Sequence, residues 1–161
     1  MRHPTPLPPA GTLLRRLTST FPLALLLCAA CAPSDSVARV RADRPVIIEK
    51  GDPEARGWLA RNGSPAALAS NRFDTTTMAL AFVDSLYAAG AARVVVDGES
   101  IRDDESELAL GGPYADALKV ELPADPERRR AVLRLTNREA AGQGFARAED
   151  RGQRVVLLWW D

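Results

Sequence analysis

The sequence predicts an α+β fold over residues 65–161, four short strands and two helices in the order β-α-β-β-α-β. Three observations predict it. Runs rich in β-branched residues, Val94-Val95-Val96 and Val155-Val156, stand at strand length between turn signals. Leu118-Lys119-Val120-Glu121-Leu122 alternates apolar and polar side chains, the period of a strand with one wet face. Met78, Phe82, Val83 and Leu86 recur at helical spacing between an Asp/Thr cap and Gly90.

Each element has its own local reason. Residues 32–44 are polar and read as a flexible tether. Pro45 to Glu49 fits a short strand. Pro53 to Arg61 fits a short helix, with Asp52 as N-cap, Pro53 at its first position and Asn62-Gly63 at its end. Ala67 to Phe73 is the first strand of the main domain. Asp74 or Thr75 then caps a helix running to about Ala89. Ala92 to Asp97 is a strand by its valines. A long acidic loop follows from Gly98 to Asp116, with a turn at Gly111-Gly112-Pro113. Leu118 to Leu122 is the third strand, ended by Pro123. Asp125-Pro126 opens a second helix with Val132, Leu133 and Leu135 inward and Gly142 or Gly144 at its end. Gln153 to Trp160 is the last strand. The order resembles the ferredoxin-like superfold. That resemblance implies a four-stranded antiparallel sheet with both helices on one face and the first and third strands in the middle. It implies no particular activity.

The N-terminal segment carries a second signal. Phe21 to Ala30 holds no charge, Arg15 and Arg16 precede it, and Ala29-Ala30 stand directly before Cys31. The run is shorter than the roughly 20 residues a spanning helix needs. The segment resembles the signal peptide and lipobox of a bacterial lipoprotein, with Cys28 standing where that family usually has leucine. The resemblance implies cleavage before Cys31, a diacylglyceryl group on its sulfur and an acyl chain, such as palmitate, on its amine. Several acyl chains at about 0.8 kcal/mol per buried methylene hold a protein on a membrane permanently. Ala32, in place of Asp, favours the outer membrane, periplasmic side, over retention at the inner one. The other readings are a plain cleaved signal peptide and a buried helix over residues 17–30. Pro22 and the basic flank speak against the latter. The expected organisation is a signal peptide over 1–30, an anchored tether with short elements over 31–64, and the α+β domain over 65–161.

Cutting at Cys31 changes the available chemistry. His3, the only histidine, leaves with residues 1–30, as does Cys28, and lipid occupies Cys31. Thiol catalysis, Ser-His-Asp triads, disulfides and His/Cys zinc sites go with them. Losing Arg2, Arg15 and Arg16 leaves 18 basic against 21 acidic side chains, a charge of about −3. Nothing in that balance suggests nucleic acid, and nothing in the chain calls for a cofactor.

The fold leaves one sheet face uncovered. Alternation puts Leu118, Val120 and Leu122 toward the helices, and Arg93, Lys119 and Glu121 outward. The last strand is apolar on both sides, Val155, Leu157 and Trp159 on one and Val156, Leu158 and Trp160 on the other, so both sides want cover. Residues 45–61, a second copy or a partner protein would supply it. Arg93, Lys119, Glu121, Trp159 and Trp160 are the candidate partner face. Asp97, Glu99 and Asp103 are weak candidates for a divalent cation, because carboxylates bind one only when they converge. Their spacing does not match an EF-hand, and a solvated loop is the preferred reading. The expected function is a lipid-anchored envelope protein with a non-catalytic binding domain, meeting a partner or a second copy through the open face. The alternatives are an envelope enzyme working with carboxylates alone and a self-associating structural lipoprotein.

Overall fold

The valine-rich and alternating runs become three strands: β1 (Arg93–Val96), β2 (Ala117–Glu121) and β3 (Val155–Trp159). In the computed structural model, which describes residues 45–160, they form an antiparallel sheet in the order β1-β2-β3. Cys31, the apolar run before it and the tether over 32–44 lie outside the described residues. The register sets Val94 opposite Val120 and Val120 opposite Val156. These valines, with Val96, Leu118 and Leu158, belong to one buried cluster. Lys119 is flanked in register by Val95 and Leu157. Those three alternate with the core residues and so take the opposite face.

Four helices are described: α1 (Ala55–Arg61), α2 (Thr76–Ala88), α3 (Glu105–Ala109) and α4 (Pro126–Gly142). Thr75 caps α2, its side chain accepting from the Met78 N–H, and the chain leaves α2 through Gly90 at φ +103°. Asp125 caps α4 ahead of Pro126, whose missing N–H costs nothing in the first turn. Ala79, Val83 and Leu86 are buried on α2, and Val132, Leu133, Thr136 and Glu139 on α4. The cap of α1 is Glu54 rather than Asp52, its carboxylate accepting from the Arg56 and Gly57 N–H groups. Ala55 and Leu59 sit in the main core. The segment over 52–64, grouped with the tether in the sequence reading, is therefore packed with residues 65–160. Pro45 to Glu49 forms no strand.

The α+β class stands, but the strand expected at Ala67–Phe73 does not form. Leu68 makes a single parallel bridge to Ala115, with the Ala69 N–H donating to Ala115 O at 2.8 Å. At Ala69 the chain then turns back. Its φ is +43°, and the Arg72 and Phe73 N–H groups both donate to its carbonyl at 2.8 Å. A left-handed residue cannot continue a strand. Among the described residues the sheet thus has three strands, and β3 lies directly against β2. The central pair expected of the ferredoxin-like order is absent.

The acidic loop is also more ordered than its composition suggests. It contains a 3₁₀ turn at Gly98–Ser100, α3, and a bridge between Arg102 and Tyr114. Its end is fixed by a close backbone approach. Gly111, at φ +111°, lies so near Gly63 that a Cβ on it would come within 2.6 Å of the Gly63 carbonyl oxygen. The Asn62 amide secures the contact by donating to Pro113 O at 2.8 Å.

Candidate functional site

The outer sheet face is organised around Lys119. β2 carries it into the middle of that face, and only 7% of it is exposed. Its ammonium lies 2.9 Å from Asp52 Oδ2 and 2.9 Å from Asp97 Oδ1. Asp97 follows β1 directly, and Asp52 comes from the segment before α1. Asp52 is fully engaged: Oδ1 accepts from the Gly98 N–H at 2.9 Å and Oδ2 from the Glu49 N–H at 2.8 Å. Burial alone would push the Asp52 carboxyl up, but the Glu49 N–H, the Lys119 ammonium and the Gly98 N–H hold it below the usual carboxylate range. Burial would likewise lower Lys119, yet Asp52 and Asp97 hold it above the usual lysine value. Asp52 and Lys119 are thus each held toward the ionised form.

Beside Asp97 a cleft of about 280 Å³ opens. Asp97, Glu99 and Asp116 give it an acidic lining with the polar Ser100 among them, and Leu157 and Trp159 form its apolar wall. Arg102 is the one base in that lining, paired with Asp116 at 2.7 Å and lying over the Tyr114 ring. Leu157 and Trp159 also border a second, largely apolar groove of about 480 Å³, which runs between β3 and the C-terminal half of α4. Phe145 and Trp159 face each other there with ring centroids 5.7 Å apart. Val46, Ala140 and Val156 add to the apolar lining. Glu139 is its one acid, held by Arg72 at 2.6 Å and by the Trp160 indole N–H at 3.0 Å. The loop after α4 is tied back by Asn137, whose amide accepts from the Ala148 N–H at 2.7 Å and donates to its carbonyl at 2.9 Å.

The residues expected on the partner face separate into three groups. Arg93 is exposed at the end of β1, and Glu121 beside it pairs with Arg154 at 2.7 Å. Trp159 is half-buried on the outer face. Lys119 also takes the outer face, but its ammonium is used internally. Trp160 is 2% exposed and belongs to the core, with its ring 5.5 Å from Phe73 and 6.1 Å from Phe82. Its alternation with Trp159 turns it to the helix side. Asp97, Glu99 and Asp103 do not assemble a cation site: Asp97 neutralises Lys119, Glu99 lines the cleft and Asp103 does not. Among the described residues no three acidic side chains converge as a metal ion requires.

Sequence reasoning missed Asp52 and Glu139. The only signal for Asp52 was its place before Pro53, which reads as a helix cap. Glu139 had a better one: it stands seven residues after Val132 and three after Thr136, on the buried stripe of α4. No described helix is long and apolar enough to cross a membrane. No family model matches the chain, and neither does any curated protein or solved structure.

Proposed function

We propose that the mature chain is a lipid-anchored envelope protein, held on the periplasmic side of the outer membrane through Cys31, whose domain binds a protein partner and performs no reaction. The observation that carries the binding reading is the outer face around Trp159. There Leu157 is 37% exposed, and Val46 lines the groove that Leu157 and Trp159 border. A cleft with fixed charges adjoins them. Exposed apolar side chains beside rigid polar groups have the anatomy of a recognition surface. Chemistry at the same place is disfavoured by the protonation states. A general base or acid works best when its pKa lies near the working pH. Lys119 is held above its ordinary value and Asp52 below, so both stand far from it. The anchor itself is supported by the Ala29-Ala30-Cys31 sequence after an uncharged run.

A photo-crosslinking residue placed at Glu99 in the anchored protein tests the binding. Irradiation of native envelopes should give an adduct of one discrete mass, lost in the Trp159→Ala variant. Only diffuse or absent adducts would overturn the reading. Mass spectrometry of the membrane fraction should show acylated Cys31, and Cys31→Ala should move the protein to the soluble fraction. An unmodified Cys31 thiol on membrane-bound protein would sink the anchor.

A further inference from the structure

The two edges of the sheet differ. On β1 the outward N–H groups are already used. The Val96 N–H donates to Pro53 O at 2.9 Å, and the Val94 N–H donates to the Tyr87 hydroxyl at 3.1 Å. On β3 the bonds toward β2 come from even-numbered residues: Arg154 O accepts from the Leu122 N–H at 2.8 Å, and the Trp160 N–H donates to Asp116 O at 3.0 Å. Val155, Leu157 and Trp159 therefore turn their N–H and C=O groups away from the sheet. Among the described residues none bonds to them. Proteins that leave an edge strand bare blunt it with a lysine, a proline, a bulge or an inward charge. β3 has no charge and no proline, and it pairs with β2 without a bulge.

This edge is complementary to itself. Leu157 is the middle residue of β3, with Val155 and Trp159 equally far on either side. Two copies laid antiparallel about a two-fold axis at Leu157 set Leu157 opposite itself and Val155 opposite Trp159. Each of those pairs exchanges both N–H···O bonds, so every outward group of the edge is satisfied. Moving the axis by one residue leaves Val155 or Trp159 without an opposite number.

Charge selects the same arrangement. The Trp159 end of the edge lies beside the acid-lined cleft, where Asp97, Glu99 and Asp116 outnumber Arg102. The Val155 end lies beside Glu121, which has Arg154 and Arg93 as neighbours. An antiparallel pair lays the acidic end of each copy against the basic end of the other. A parallel pair would set like charge against like.

We propose that β3 is a dimer edge, where a second copy of this chain pairs antiparallel, centred on Leu157, and continues the sheet. Two-fold pairs of this isologous kind are the commonest protein assemblies. Opposite residues of antiparallel strands share a face, so the outer faces of both copies fall on the same side. The dimer presents two Trp159 surfaces in one direction, and a partner with two matching sites would be held by both. That last consequence rests on the partner-binding reading; the pairing does not.

Single cysteines in the full-length protein under mild oxidation test the register. Leu157→Cys should give a disulfide-linked dimer, since opposite Cα atoms in such a pair stand about 5.5 Å apart, within disulfide reach. Val155→Cys alone and Trp159→Cys alone should not link, whereas the two variants mixed should. Peptide mapping sets aside any bond through Cys28 or Cys31, the chain's own cysteines. Without added cysteines the protein should sediment at twice the chain mass, with slow exchange of the Leu157 amide. Leu157→Lys opposes two like charges at the axis. It should sediment as a monomer whose Val155 and Trp159 amides exchange fast while those of Leu118 and Val120 stay protected. A monomeric unsubstituted protein would overturn the proposal, whether its outward amides exchange fast, leaving the edge bare, or slowly, with the edge covered within one chain. So would linking by Val155→Cys alone, or a dimer that Leu157→Lys leaves intact. A crosslink from Glu99 of twice the chain mass reports the second copy, and one of any other mass a foreign partner, so the two readings fail separately.

Discussion

Lys119 shows how much one buried charge can hold. It lies between two carboxylates, with Asp52 accepting two backbone N–H groups as well, so removing the ammonium would leave two acids without their cation. Breaking a buried ion pair from one side costs about 3–5 kcal/mol. Lys119→Met should therefore lower the denaturant midpoint of unfolding by an amount of that order. Adding Asp52→Asn should recover part of the loss, because one stranded charge is removed. The same group sets a pH dependence. The native Asp52 carboxyl titrates below its unfolded value of about 3.9, so the unfolded chain binds more protons in that range. Its contribution is present above about pH 4 and is lost as pH falls through the native value. Lys119 acts at the other end. Its native value is raised, so its contribution is complete below about pH 10.4 and is lost as pH rises through the native value. Unfolding followed across pH should show a plateau between these limits, with an acid limb that flattens in Asp52→Asn. An unchanged acid limb in that variant would show that other carboxylates control it.

At the scale of elements, the backbone turn at Ala69 explains most of the distance between the expected sheet and the observed one. A non-glycine residue in the left-handed region costs about 1–2 kcal/mol. Ala69→Gly should thus raise the midpoint of thermal unfolding, whereas an interior strand residue would be weakened by glycine. Gly111→Ala should do the reverse and lower it, because the new Cβ meets the Gly63 carbonyl. Helices α2 and α4 were legible because their signals are local, whereas α3 fell inside a segment read as a loop. Thr75, Gly90, Asp125 and Pro126 each act within one turn, and they sit where the sequence predicted. The three observed strands were legible from valine content and alternation. The lost strand was not, because apolar content at Ala67, Leu68 and Ala69 does not decide between a strand and a buried turn. Ser70 and Asn71, turn formers inside that otherwise strand-like run, were the contrary signal. Strand order was out of reach for a related reason. The connection from β2 to β3 contains α4, and its length does not say on which side of β2 the chain returns. The site divides in the same way. Alternation placed Lys119 outward but left Trp159 and Trp160 undivided, and it could not reveal that Asp52, 67 residues away in sequence, would cover the lysine.

For the whole molecule, the charge balance and the anchor make a joint prediction. Under the proposed cleavage before Cys31 the chain carries about −3, and with its acid-lined cleft it should meet a basic partner surface more slowly as salt rises, because screening shortens the reach of exposed charge. Crosslinking yield at Glu99 should fall between low and high ionic strength, while the apolar contact at Trp159 should be less affected. Asp52 has a further consequence at this scale, a mechanical one. Within the described residues, a pull applied at Pro45 meets Asp52 before α1. Asp52 passes that load to Gly98 and, through Lys119, to the middle strand of the sheet. The Pro53 carbonyl shares it with β1. The side chain works as a strain relief for the fold, and in a stretching experiment Asp52→Asn should lower the force at which residues 45–61 peel away.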